Sequence, residues 1–70
     1  MNPQRKYKMI AISDRPNNQY LSNQIYTGDT VTVWKDEDAN TLYFVQSASS
    51  IFEMEQRDII QTFGKLPGQP

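Results

Sequence analysis

The amino-acid sequence predicts one small domain built chiefly from β-strands, and three observations carry that expectation. Thr30-Val31-Thr32-Val33-Trp34 alternates strictly and is rich in β-branched residues, the pattern of a strand with two different faces. Tyr7-Lys8-Met9-Ile10-Ala11-Ile12 is a second short, β-prone stretch, stopped by Ser13-Asp14-Arg15-Pro16-Asn17-Asn18, which is strong turn chemistry. A third apolar stretch, Leu42-Tyr43-Phe44-Val45, follows the polar turn Lys35-Asp36-Glu37-Asp38-Ala39-Asn40.

Taken in order, Tyr7 to Ile12 reads as the first strand. From Ser13 to Asp29 no regular period holds, although Tyr20, Leu21, Ile25 and Tyr26 are scattered through it. So long a connection in so small a chain tends to be functional or disordered, and its apolar residues favour packing down. Gly28-Asp29 makes a turn into the strand Thr30–Trp34, with Val31 and Val33 on one face and Thr30, Thr32 and Trp34 on the other. Thr41 to Gln46 is the return strand, so residues 30–46 form a β-hairpin.

Residues 50–63 allow two readings. Ser50-Ile51-Phe52-Glu53 fits a capping box. Phe52, Ile59 and Phe63 would then share a helical face, with Gly64 as the C-terminal glycine, but Ile51 and Met54 would point the opposite way. The other reading is a strand Ser50–Met54, a short turn at Glu55-Gln56-Arg57-Asp58, and a final strand Ile59–Phe63. Local signals alone favour the helix slightly.

Composition narrows the chemistry. The 70 residues are 37% apolar, 11% aromatic and 21% charged, with no Cys and no His. Disulfides, Cys/His zinc sites, Cys or Ser–His nucleophiles and imidazole acid–base chemistry are therefore excluded. The net charge of −1 creates no strong field towards nucleic acid or anionic membranes. No apolar run approaches the roughly 18 residues of a membrane span, and the N-terminus has a basic stretch but no apolar core of a signal peptide. A cytoplasmic protein with no cofactor, no metal and no membrane partner is expected. Mean hydropathy is −0.71, yet clustered aromatic and β-branched residues speak for a folded domain over residues 7–63, with flexible segments at 1–6 and 64–70. A domain this small leaves little room for a substrate cavity.

For the C-terminal third the order of elements matters more than local propensity. A first strand, a long irregular loop, a Gly-Asp turn, an alternating strand, an acidic hairpin and a return strand together resemble the SH3-like barrel. Gly28-Asp29-Thr30-Val31-Thr32-Val33 resembles the GD-x-ψ-x-V stretch that opens the second strand of that family, and the chain is similar in length to SH3-like proteins of phages and mobile elements. The resemblance implies an all-β, five-stranded barrel with a long first loop (residues 13–29) and a 3₁₀ turn before the last strand. A three-stranded sheet with a C-terminal helix over 50–63 is the alternative. Ala11-Ile12-Ser13-Asp14-Arg15 lacks the tyrosines of the family's peptide groove, and Thr41-Leu42 stands where its groove tryptophan would be. Polyproline binding is therefore not expected.

Four candidate sites remain. Asp36, Asp38 and Asn40 have the opening spacing of an EF-hand loop, but Thr41 replaces its glycine and Ser47 its final glutamate, so a hairpin turn is expected. Glu53, Glu55 and Asp58 could cluster, but with no cleft indicated they read as solvated carboxylates. Arg5, Lys6 and Lys8 with Tyr7 form a basic–aromatic stretch suited to nucleic acid or to keeping an edge strand soluble. Tyr20, Tyr26, Trp34 and Tyr43 are candidate anchors of a protein interface. The expectation is a non-enzymatic protein-binding module of phage type, occluding or modulating a larger host protein. A nucleic-acid-binding barrel and a self-associating subunit are the alternatives.

Overall fold

A computed structural model of the chain describes residues 5–15, 24–48 and 50–69. Strands β1 (Tyr7–Ile10), β2 (Thr30–Lys35), β3 (Leu42–Gln46) and β4 (Ile51–Glu55) precede a single helix, α1 (Gln56–Phe63). The strands form one antiparallel sheet in the order β1-β2-β3-β4, so each strand pairs with its neighbour in sequence. The expected hairpin is present, with Val33 opposite Val45 and Trp34 opposite Phe44.

Each of the two expectations for the C-terminal third holds in part: the strand over Ser50–Met54 is present as β4, but the final strand Ile59–Phe63 is not, its residues lying on α1. The protein is α+β, an open four-stranded sheet with one helix, and not an all-β five-stranded barrel. The alternative also fails in its bounds, because Ile51–Glu55 is a strand paired with β3 from Leu42↔Glu55 to Gln46↔Ile51. The Ser50–Glu53 capping box therefore does not form: Ser47 and Ser50 instead close the β3–β4 turn, the Ser47 N–H donating to the Ser50 carbonyl at 2.9 Å.

The physical reason for the helix lies in what must be covered. Met9, Val31, Val33, Val45 and Met54 make one face of the sheet apolar and buried. An eight-residue helix carrying Ile59, Thr62 and Phe63 on one side seals that face with residues spaced i, i+3 and i+4. The position from which a fifth strand would close a barrel is occupied by the helix end. The Ile12 and Ser13 N–H groups both donate to the Thr62 carbonyl, at 2.7 and 3.3 Å, and Ser13 Oγ donates to the Gln61 carbonyl at 2.7 Å. The chain leaving β1 thus satisfies helix carbonyls that have no partner within the helix. Gly64 terminates α1 in the left-handed conformation (φ 82°), its N–H bonded to the Ile60 carbonyl, as the sequence indicates. Beyond it, Leu66 packs against the core.

The long connection is pinned at its base. Arg15 and Ile25 exchange both backbone hydrogen bonds, at 2.6 and 2.8 Å, and Ile25 lies in the core. Asp14 Oδ1 accepts from both the N–H and the hydroxyl of Thr27, at 2.7 and 2.8 Å, which holds its carboxyl below the usual carboxylate range. Arg15 reaches the helix through Asp58 (3.9 Å) and lies 5.7 Å from the Phe52 ring. Among the described residues, no helix is long and apolar enough to cross a membrane.

Candidate functional site

Strand alternation makes the sheet two-sided, and α1 covers only one side. The other face carries a row that runs across the strands. Trp34 stands opposite Phe44 and Phe44 opposite Glu53, while Lys6 Nζ lies 4.4 Å from the Trp34 ring centroid. The row therefore reads Lys6, Trp34, Phe44, Glu53 from the β1 edge to the β4 edge. A second row, Lys8, Thr32, Gln46, Ile51, runs beside it. Among the described residues no element packs across this face.

At its centre Trp34 and Phe44 stack, with ring centroids 5.6 Å apart and planes 26° from parallel. Both side chains are half-buried, by each other and by Lys6, and neither belongs to the core cluster. Such a cross-strand aromatic pair is pre-formed and rigid, since each ring has only two side-chain torsions and the register fixes both backbones. A rigid, partly desolvated aromatic platform is suited to binding, because little conformational entropy remains to be lost.

The four aromatic residues singled out in the sequence do not come together. Trp34 is on the open face. Tyr43, one residue before Phe44, points to the covered face, packs against the core and receives Lys35 Nζ 5.5 Å from its ring. Tyr26 is 53% exposed but precedes the Gly28 turn, at the other end of β2 from Trp34. Tyr20 lies outside the described residues. Trp34 is instead paired with Phe44, a residue the sequence alone does not single out. Its signal was the hairpin register, which puts it across from Trp34. Of the basic stretch, Lys6 and Lys8 share the open face, and Arg5 is exposed just before Lys6.

The acidic candidates separate in the same way. Asp36 begins the β2–β3 turn, its Oδ1 accepting from the Asp38 N–H at 2.9 Å, and Lys35 Nζ donates to the carbonyls of Asp36 and Ala39. The D-x-D-x-N stretch is thus a hairpin turn tied by its own side chains. Glu53 and Glu55 lie on β4, whereas Asp58 is on α1 beside Arg15, so the three do not form one cluster. Glu55 accepts from the Thr41 hydroxyl at 3.1 Å. A shallow groove lined by Thr41, Glu55, Gln56, Arg57 and Ile60 runs along the start of α1.

Glu53 does have a carboxylate partner, Asp36. The hydrogen bond between them, together with burial and the charge of Asp36, pushes the Glu53 carboxyl up. The same bond and the Asp38 N–H hold Asp36 down. The proton is thus held more tightly at Glu53 than at Asp36. A group whose pKa is raised on folding contributes stability at low pH and loses that contribution as pH rises through its folded value. Glu53→Gln keeps a donor towards Asp36 at every pH. The variant is expected to match the wild type in mildly acidic buffer and to melt at higher temperature near neutrality, as followed by thermal melts across pH at low protein concentration. Parallel curves at all pH values would show that the two carboxyls do not share a proton.

Compared with models of protein families, with characterised proteins and with solved structures, the chain matches none.

Proposed function

We propose that the protein is a non-enzymatic, cytoplasmic binding module that contacts a protein partner through the open face of its sheet. The observation that carries this reading is the Trp34–Phe44 stack, held rigid across β2 and β3 on the face that α1 leaves uncovered. Soluble domains normally bury aromatic pairs of this size, and a large aromatic on an uncovered face is the commonest kind of interface anchor. The surrounding Thr32, Gln46, Lys8 and Glu53 supply a polar rim. Occlusion of a larger protein's surface is the mode of action suited to so small a domain without catalytic groups. A nucleic-acid reading is favoured by one specific feature, the lysines beside stackable rings. Glu53 in the same row, Glu55 beyond it and the net charge of −1 weigh against it.

The test uses tagged wild-type protein and a Trp34→Ala/Phe44→Ala variant, both shown to be folded by circular dichroism. Each is incubated with nuclease-treated lysate of the source organism and washed at high salt. Proteins retained by the wild type and lost by at least about tenfold in the variant are expected, as for a central anchor. Equal retention by both would remove the open face from the function.

A further inference from the structure

The charges on the open face are arranged as a dipole. Lys6 and Lys8 lie along the β1 edge, and Glu53 and Glu55 along the β4 edge, with Trp34 and Phe44 between them; Glu53 is bonded to a second carboxyl, Asp36, which adds to the acidic side. We propose that the occupant of this face is a second copy of the same chain, the two sheets packing face to face about a two-fold axis parallel to the strands. The proposal rests on the reading of the open face as the binding surface and names its partner.

Charge complementarity selects both the partner and the axis. Two sheets that face each other can be related by a two-fold axis lying in the plane between them. If that axis ran across the strands, the lysines of both copies would meet at one edge and the glutamates at the other, and like charges facing each other are strongly unfavourable. If it runs along the strands, left and right exchange. Lys6 then faces the partner's Glu53, Trp34 faces the partner's Phe44, and Lys8 lies over the partner's Ile51, which is 58% exposed in the single chain. Every contact occurs twice, as an isologous interface requires. Strands of the two sheets stay near parallel, within the roughly 30° that twisted sheets adopt when they stack. A four-stranded face measures about 20 by 20 Å, roughly 400 Å² per copy and about 800 Å² in all, which is below the standard interface size, so a weak, transient dimer is expected.

Lys6 and Glu53 are three strand spacings apart in one chain, about 14 Å, too far to pair with each other. That separation makes charge reversal decisive. Sedimentation equilibrium over a concentration series is expected to show the wild-type dimer, weakening with salt. Lys6→Glu and Glu53→Lys, each checked for folding by circular dichroism, should each weaken association at least about tenfold, because two attractive pairs become two repulsive ones. The combined variant should recover to within about threefold of the wild type. A merely structural role cannot give that recovery, since the Lys6–Trp34 contact stays lost in the combined variant. Singles that weaken the dimer without recovery in the combination overturn the pairing. So does a wild type that is monomeric to about 1 mM. If that monomer still retains proteins through Trp34 and Phe44, only the identity of the partner falls. If a single-stranded oligonucleotide shifts its Trp34 fluorescence instead, the face belongs to nucleic acid. A dimer indifferent to Lys6→Glu, Glu53→Lys and Trp34→Ala lies on another surface and overturns this inference and the open-face reading together.

Discussion

Ile59→Ala is expected to lower stability by about 3–4 kcal/mol and the melting temperature by roughly 15–25 °C. Ile59 is fully buried, at 0% exposure, at the centre of the apolar side of α1. It belongs, with Val45 and Met54 of the sheet, to the buried core cluster. Removing it costs the transfer energy of the lost methyl and methylene groups and leaves a cavity that an eight-residue helix and a four-stranded sheet cannot readily close. The total stability of a domain this size is on the order of 4–10 kcal/mol, so the variant should be partly unfolded at physiological temperature. Ile60→Ala, one position on, is the internal control. Ile60 is 44% exposed, and its truncation should change stability by less than about 1 kcal/mol. Urea denaturation of the three proteins measures the contrast directly. Equal losses for the two variants would mean that α1 does not seal the sheet through the Ile59 side.

The second large effect concerns the long connection. Ile25 is 1% exposed, yet it lies in a stretch that shows no regular pattern. Ile25→Ala should cost about 2–4 kcal/mol, although the residue is in no helix or strand. Its side chain ties the base of the loop to the core, while its backbone exchanges hydrogen bonds with Arg15. Loss of the anchor should release Thr27 from Asp14 as well. Amide exchange at Thr27 is therefore expected to speed up by more than the global destabilisation explains. Tyr26→Ala, at a 53% exposed neighbour, should stay within about 0.5 kcal/mol. A melting point for Ile25→Ala within about 3 °C of the wild type would mean that the loop is held elsewhere.

The open face explains how much of the candidate site could be read in advance. Alternation in Thr30–Trp34 placed Val31 and Val33 inside and Trp34 outside, and the structure agrees. The same rule applied to β3 puts Tyr43 in phase with Val45 and Phe44 in phase with Trp34, once the register of the hairpin is known. That register depends on how the turn from Asp36 to Thr41 closes, through the Lys35 and Asp36 side chains. Spacing in the sequence does not reveal it, so Tyr43 was chosen and Phe44 overlooked. Lys6 is legible as a charge but not as the residue over Trp34, because it lies just before β1, 28 positions away in the chain.

What the sequence by itself determined is the local layer: the hairpin, its two faces, the Gly28 turn and the absence of histidine and cysteine chemistry. Each follows from side-chain period or backbone geometry over a few residues. Only the tertiary structure decided that the chain after β4 continues as the helix Gln56–Phe63 and not as a turn and a last strand. Ile59 and Phe63, four residues apart, share a face on a helix and on a strand alike. The choice was made by an unpaired β3 edge, which takes Ile51–Glu55 as its neighbour, and by an apolar sheet face, which is covered more completely by Ile59 and Phe63 on a helix than by one more short strand. The helix that covers that face leaves the opposite one open, with the Trp34–Phe44 pair at its centre.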